Sequence, residues 1–445
     1  MIFRPLSTGG HLVRLRNAMA GRKSTVKTIG MIASADLIAT ALGIIGSLVQ
    51  ARFISPGDLG YIRKYSVVSN YAVFLTLGLY IILQREYPVL IGRGEQEKAR
   101  RVVAIGQSWS LLVSGVVCGG LILVCIGQLL EGDWREASAW FIQIVSVWTA
   151  IYGGYLMCTF RSGQEFEQVA KSGFLASIAG IVVLPLFAVW PFAAMVLRSV
   201  AGSLVSSIYQ HRVRPVKVGW CLPLGEFYGL VKRGMRLFAG TYVRYNFWLT
   251  FEIWLMLRYA GDAGVGLFTF SMMIVMAVGQ LSTAVNQIFM PRLAQHFGKC
   301  GNLGECLRMS LKPTIINVLT AVFFSGLAWL ILPAVISFAF PKYTPAIPIL
   351  NVLLLDTINV AMSLPVYMVT VLEDYRAQTA AAVVGLAVFI LVAYGLHFLG
   401  LKEMSVVWGT IIGRFAFVII SLASLGVRHI RLKRNKSLTL GSDFA

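Results

Sequence analysis

The sequence predicts an all-α integral membrane protein: twelve transmembrane helices in two six-helix lobes related by a pseudo-twofold axis. Three observations lead there. The 445 residues are 57% apolar and only 13% charged, with a mean hydropathy of +0.75, more apolar surface than a water-soluble domain can bury. Apolar runs of about 18 residues or more, long enough to span a bilayer as helices, follow one another from end to end; a barrel would need short alternating strands instead. The third observation is a repeat. LVQARFISPGDLGYI at 49–63 and LMLRYAGDAGVGLFT at 255–269 both end an apolar run with Arg, an aromatic and a later Gly. The matching pairs are Arg52 and Arg258, Phe53 and Tyr259, Gly60 and Gly266, each 206 positions apart (52 to 258).

The spans fall at about 28–51, 65–84, 102–129, 137–160, 169–189, 191–210, 237–257, 264–290, 313–338, 345–371, 377–399 and 404–426. Span one carries Asp36, Thr40, Gly43, Ser47 and Gln50 within an arc of about 80° on an otherwise greasy helix. Span two, the counterpart of span eight, is mostly apolar on the matching face apart from Asn70. Span four places Trp148, Tyr152 and Tyr155 on one face, where packing or lipid contact accounts for them better than a ligand does. Spans five and six meet at Trp190-Pro191, a tight turn that proline suits; reading them as one broken helix would make the span count odd. Residues 211–236 form the longest connection inside, basic with a short amphipathic stretch. Span seven repeats the polar stripe with Thr241, Arg244, Tyr245, Trp248, Glu252 and Tyr259; an offset of 205 (241 to 36) superposes 241, 245, 248 and 252 on 36, 40, 43 and 47. Span eight adds Gln280, Thr283 and Gln287. The chain therefore divides into a first lobe (1–210), a linker (211–236) and a second lobe with a basic tail (237–445). Both lobes start on the same side, so the repeat is parallel and encloses a central cavity.

Loop charge sets the orientation. With the N-terminus inside, 29 of the 39 Lys and Arg lie inside (Lys171, at the inner end of span five, counted among them), seven outside and three deeper within spans, the bias expected of cytoplasmic loops. Both termini are thus expected in the cytoplasm. The net charge of +20 is matched to anionic inner-leaflet lipid rather than to nucleic acid. Cys118, Cys125 and Cys158 fall in spans and Cys221, Cys300 and Cys306 in cytoplasmic loops, so no disulfide framework is expected. Nor does any pair show metal-ligand spacing with His. The first apolar run is longer than a signal-peptide core and lacks a clear cleavage site, so it is expected to remain.

Six ionisable residues interrupt the spans: Asp36, Arg198, Arg244, Glu252, Asp356 and Arg414. Each costs roughly 2.5–3.5 kcal/mol at mid-membrane on insertion scales, so such residues face a bundle interior or a wet cavity. Interhelical ion pairing that only fixes packing is the plainer alternative, above all for Asp356 and Arg414. Arg offers a permanently charged planar fork suited to phosphate. Arg244, with Arg198 and Arg414, is the candidate for an anionic, phosphate-bearing ligand; Tyr245, Trp248, Gln280 and Gln287 are candidates to face sugar rings. Asp36 and Arg244 lie at similar depth and are expected to approach across the cleft and close its cytoplasmic side; additive effects of Asp36→Asn and Arg244→Gln on transport would count against that.

The stretch ARFISPGDLGYI resembles the signature that follows the first span in polysaccharide-transporter flippases of the MOP superfamily. Arg52, Phe53, Pro56 and Gly60 carry it, with Ser55 where that family usually has Gly. LGLYIILQREYP with Arg85, and the linker segment leading to Gly234, resemble it too. The readable motif covers about 28–102; the architecture resembles the family throughout. The resemblance implies a MOP-type fold and movement of a polyprenyl-pyrophosphate-linked oligosaccharide to the outer leaflet of a bacterial cytoplasmic membrane, for surface polysaccharide synthesis beside a polymerase. It implies cationic cavity residues on the pyrophosphate, a role carried to Arg244, and an ion gradient as driving force, for which Asp36, Glu252 and Asp356 are candidates. No cofactor is expected.

Two rivals remain open. A multidrug exporter of the same superfamily would favour a net-negative cavity, against three Arg and three acids in these spans. A membrane polymerase or ligase would need a large outer loop with catalytic Arg or His, whereas the outer loops are short and only His397 of the five His lies near that face. No nucleotide-sugar, P-loop or nucleophile-elbow motif occurs.

Overall fold

Span two begins where the chain can cap a helix. The Ser55 hydroxyl accepts the Asp58 backbone N–H at 3.1 Å. Pro56 occupies the first position, where no N–H is needed, and Asp58 faces the positive end of the helix dipole. Helix α2 (Pro56–Ala72) thus starts at 56 rather than near 65. The expected outer loop of 51–64 contracts to Ile54 and Ser55, and Arg63 and Lys64 lie on the helix. A 3₁₀ turn (Val73–Thr76) follows. Leu77 and Gly78 then take left-handed backbone, φ 50° and 74°, and α3 (Leu79–Gly92) leaves at 44° to α2.

The structure, a computed structural model, describes residues 39–442 apart from 164 and 373. All regular structure among them is helical. Helix α1 (Ala39–Phe53) is the described part of span one. Then come α4 (Gln96–Leu130) and α5 (Trp134–Trp148), the latter passing through a π-helical turn (Thr149–Gly153) into α6 (Gly154–Ser162). Helices α7 (Phe166–Val182) and α8 (Pro191–Val213) complete the first half. Helix α9 (Leu224–Tyr242) starts inside the expected linker and runs through a second π-helical turn (Val243–Phe247) into α10 (Trp248–Cys300). The amphipathic stretch and span seven are therefore one helical path. Helix α10 is broken at Gly261 (φ 64°, ψ −166°), which divides spans seven and eight. Helix α11 (Leu303–Ala339) follows. Span ten is a chain of short helices, α12 (Ile347–Leu353), α13 (Leu355–Met362) and α14 (Tyr367–Val371), not one rod. Helix α15 (Tyr375–Phe398) and α16 (Lys402–Ser442) end the fold, α16 running well beyond the expected 426.

Among the described residues, nine helices are long and apolar enough to cross a membrane, or ten with the bent α2–α3 pair taken as one span. The Phe238–Asn286 segment counts once there although Gly261 breaks it. The chain is a multi-pass membrane protein.

Helices of the first half pack on one another, α4 on α5 and α7 on α8; in the second half α15 packs on α16 and α10 on α11. In a bilayer such packing gains from close contact rather than from escape from water. Two joints cross between the halves. At the first, α2 lies along α10. A Cβ on Gly60 would fall 1.7 Å from the Asp262 carbonyl oxygen, and one on Gly266 1.8 Å from that of Pro56. Backbone meets backbone there, which only glycine permits. The Lys64 ammonium donates to Asp262 at 3.0 Å, Arg52 to the Ala339 carbonyl at 2.6 Å and the Tyr343 hydroxyl to that of Ile54 at 3.3 Å. At the second joint, α9 packs on both α3 and α15.

Candidate functional site

The polar stripe of span one has a destination. Thr40, Gly43, Ser47 and Gln50 recur at helical spacing and line a cavity of about 990 Å³ between the halves. Arg244, Tyr245, Trp248 and Gln280 contribute to its lining from α10 and the turn before it. Leu59, Ile62, Phe268 and Tyr343 line it beside the Gly60–Gly266 joint. Other parts are apolar and adaptable, with Met272, Met273 and Met276. Asp36 and the side chain of Gln287 lie outside the described residues, so the proposed approach of Asp36 to Arg244 does too.

Four guanidinium groups reach this cavity, from Arg63, Arg198, Arg244 and Arg414. Arg198 on α8 reaches α1. Its Nη1 donates to Gln50 Oε1 at 2.5 Å, and its Nη2 to Ser47 Oγ at 3.2 Å and the Gly43 carbonyl at 3.3 Å. Gly46 gives it room, since a Cβ there would stand 2.7 Å from Nη2. Arg244 lies on aromatic faces, 4.1 Å from the ring centre of Phe417 and 5.0 Å from that of Tyr245, leaving its edge for an acceptor. Arg63 is the member that the sequence reading missed, having been placed in an outer loop. The Ser55-Pro56 cap was the available signal: it starts the helix early and puts Arg63 and Ser66 three residues apart on one face. Among the described residues, no carboxylate lies within ion-pair distance of Arg63, Arg198 or Arg244.

Arg414 is different. From α16 it donates through Nη2 to Glu252 on α10 at 2.8 Å and through Nη1 to Asp356 on α13 at 2.5 Å. Glu252 is fully buried and Asp356 nearly so. Three of the intramembrane charges thus form one triad that pins three helices, with Asn359 donating to Asp356 at 3.1 Å. Arg414 is matched by two acids inside the protein and is not a free cation. The repeat makes the comparison pointed. Arg198 and Arg414 sit in the last long helix of each half, and both reach its first helix. The acceptors Ser47 and Glu252 are the pair that the 205-residue offset superposes. The first half answers its Arg with neutral oxygens, the second with carboxylates.

The candidate sugar-facing residues divide. Tyr245 is 59% exposed on the cavity. Trp248 reaches the lining but is 3% exposed and stacks on Phe389 at 5.8 Å, so its face is already covered. Gln280 reaches the lining. Tyr152 and Tyr155 are buried in the first half around Leu156 and Phe160, as ordinary packing. Tyr259 stacks on His397 at 3.8 Å, away from the cavity lining.

Residues 49–313, more than half of the chain, match the polysaccharide biosynthesis protein family. No curated protein matches the chain by sequence. The fold is similar to an inward-facing multidrug resistance MATE family transporter of the MOP superfamily, with TM-score 0.68 and 16% identity over 90% of this chain and 99% of that one. An outward-facing transporter of the same description has TM-score 0.62 and 16% identity over 91% and 95%. A MOP superfamily transporter from Pyrococcus furiosus, described as having a binding pocket of reverse polarity, has TM-score 0.64 and 15% identity over 90% and 95%. The chain belongs to the polysaccharide biosynthesis protein family and has the MOP transporter fold.

Proposed function

We propose that the protein is a flippase that carries a polyprenyl-pyrophosphate-linked oligosaccharide across a bacterial cytoplasmic membrane by alternating access. The observation that carries this is the charge of the cavity. Arg63, Arg198 and Arg244 line it with no carboxylate within ion-pair distance among the described residues, although the charge of Glu252 acts on Arg63 from beyond that distance, and a guanidinium in a low-dielectric cleft selects an anion with phosphate geometry. Family membership directs the anion toward polysaccharide synthesis. A volume of about 990 Å³ is at the upper end of ligand pockets and suits a pyrophosphate with its first sugars, the polyprenyl tail remaining in lipid. The same polarity disfavours an exporter of organic cations. In this reading the termini and basic loops are cytoplasmic, and the Gly60–Gly266 joint closes the outer end. Glu252 and Asp356 share one Arg, so the triad holds an excess negative charge that a proton or sodium ion neutralises as the lobes rock.

The test is reconstitution in liposomes with a lipid-pyrophosphate oligosaccharide on one leaflet. Transfer to the other leaflet is expected, competed by soluble pyrophosphate-bearing lipid and not by an organic cation. No transfer with the gradient imposed in either direction, or competition by the cation alone, sinks the reading. In cells, deletion is expected to strand lipid-linked oligosaccharide on the cytoplasmic side.

A further inference from the structure

Outside the cavity, the turn between α10 and α11 gathers a second chemistry. His296 and Cys300 are four apart on the last turn of α10 and so share a face. Gly301 ends the helix in left-handed backbone, φ 60°. Asn302 caps α11 by accepting the Gly304 N–H at 3.1 Å, which returns the chain at once and places Cys306 in the first turns of α11. The ligand atoms of His296, Cys300 and Cys306 all lie within 4.8 Å of one another. The expectation that no cysteine has ligand spacing with histidine is corrected here: the partners are brought together by the helix turn and its cap.

We propose that His296, Cys300 and Cys306 bind a zinc-class metal ion, with Glu305 as the fourth ligand. The donor set is right for it, since two thiolates, an imidazole and a carboxylate suit a tetrahedral site. Thiolates bonded to one tetrahedral zinc stand about 3.8 Å apart, so rotation of exposed side chains completes the site without moving a helix. Glu305 Oε2 is 3.7 Å from His296 Nε2, while its other oxygen accepts from Asn302 at 3.0 Å. Cys306 is fully buried among Leu293, Leu364 and Leu425, which anchors one ligand rigidly. On the face assigned to the cytoplasm, the thiols stay reduced and free to ligate. The bound ion clips the end of span eight to the start of span nine.

The experiment uses the full chain in detergent, stripped of metal, loaded with zinc or cobalt and washed with a weak chelator. About one zinc per chain is expected to remain, and cobalt is expected to give thiolate charge-transfer absorption with tetrahedral d–d bands. Because Cys306→Ala risks the local core, the deciding variants are Cys300→Ser and His296→Gln. Both are expected to fold and to lose the retained metal, and the cobalt charge-transfer signal is expected to weaken in Cys300→Ser. Equal retention in all three proteins overturns the site. So does a wild-type protein, alkylated at lysis, in which Cys300 and Cys306 are joined to each other.

Discussion

Arg198 and Arg414 each tie the last long helix of a half to its first helix but are met by different partners, so their substitutions should fail differently. Arg414→Gln leaves Glu252 and Asp356 buried without their cation, a change that costs about 3–5 kcal/mol. Its expected signature is a lowered melting temperature and poor recovery in detergent before any transport is measured. Arg198→Gln removes no ion pair among the described residues, and its acceptors are neutral. It should fold and bind the lipid-pyrophosphate ligand about 10- to 100-fold more weakly, the loss of a charged hydrogen bond of about 1.5–3 kcal/mol. Arg63→Gln should behave like Arg198→Gln; unchanged affinity in both would remove the phosphate role from the cavity. Five of the six intramembrane charges seen in the sequence fall in the described structure, and all five line the cavity or the triad. Their pairing was not legible, because Glu252, Asp356 and Arg414 are far apart in the chain and meet only through packing.

The elements were legible to the extent that their apolarity spoke alone. Long spans such as α4 and α15 lie where hydropathy put them. The errors came where polar residues belong to helices. Asp58, Arg63 and Lys64 looked like a loop, yet the Ser55 cap and Pro56 begin α2 beneath them. Ser55→Ala should cost about 1 kcal/mol through the lost cap, read as a lower thermal midpoint. The basic linker hid the start of α9 because an amphipathic stretch has no span-like hydropathy. It nonetheless continues through the π-helical turn of Val243–Phe247 into α10, which presents Arg244 to the cavity. The break at Leu77-Gly78 also escaped notice, since a positive φ at Leu77 leaves no mark in composition, whereas Gly261 falls in the expected gap between spans seven and eight.

At the scale of the molecule, the repeated phrase at 49–63 and 255–269 proved to be more than an internal measure of offset. Gly60→Ala or Gly266→Ala should force the halves apart at the joint they share. Bio-orthogonal spin labels at the exposed Leu130 and Leu399 should report a longer and broader distance than in the parent, and an unchanged distribution would show that the joint is not held by these glycines. The two copies of the phrase touch each other: each glycine lies against backbone of the helical stretch that carries the other. A duplicated segment that is its own binding partner is constrained twice, once by its own turn and once by its twin. A side chain gained at either copy is refused by the other, so change must come in concert or not at all. No such contact couples Ser47 to Glu252, which are met separately by Arg198 and Arg414, so a change at either of those positions leaves the other undisturbed.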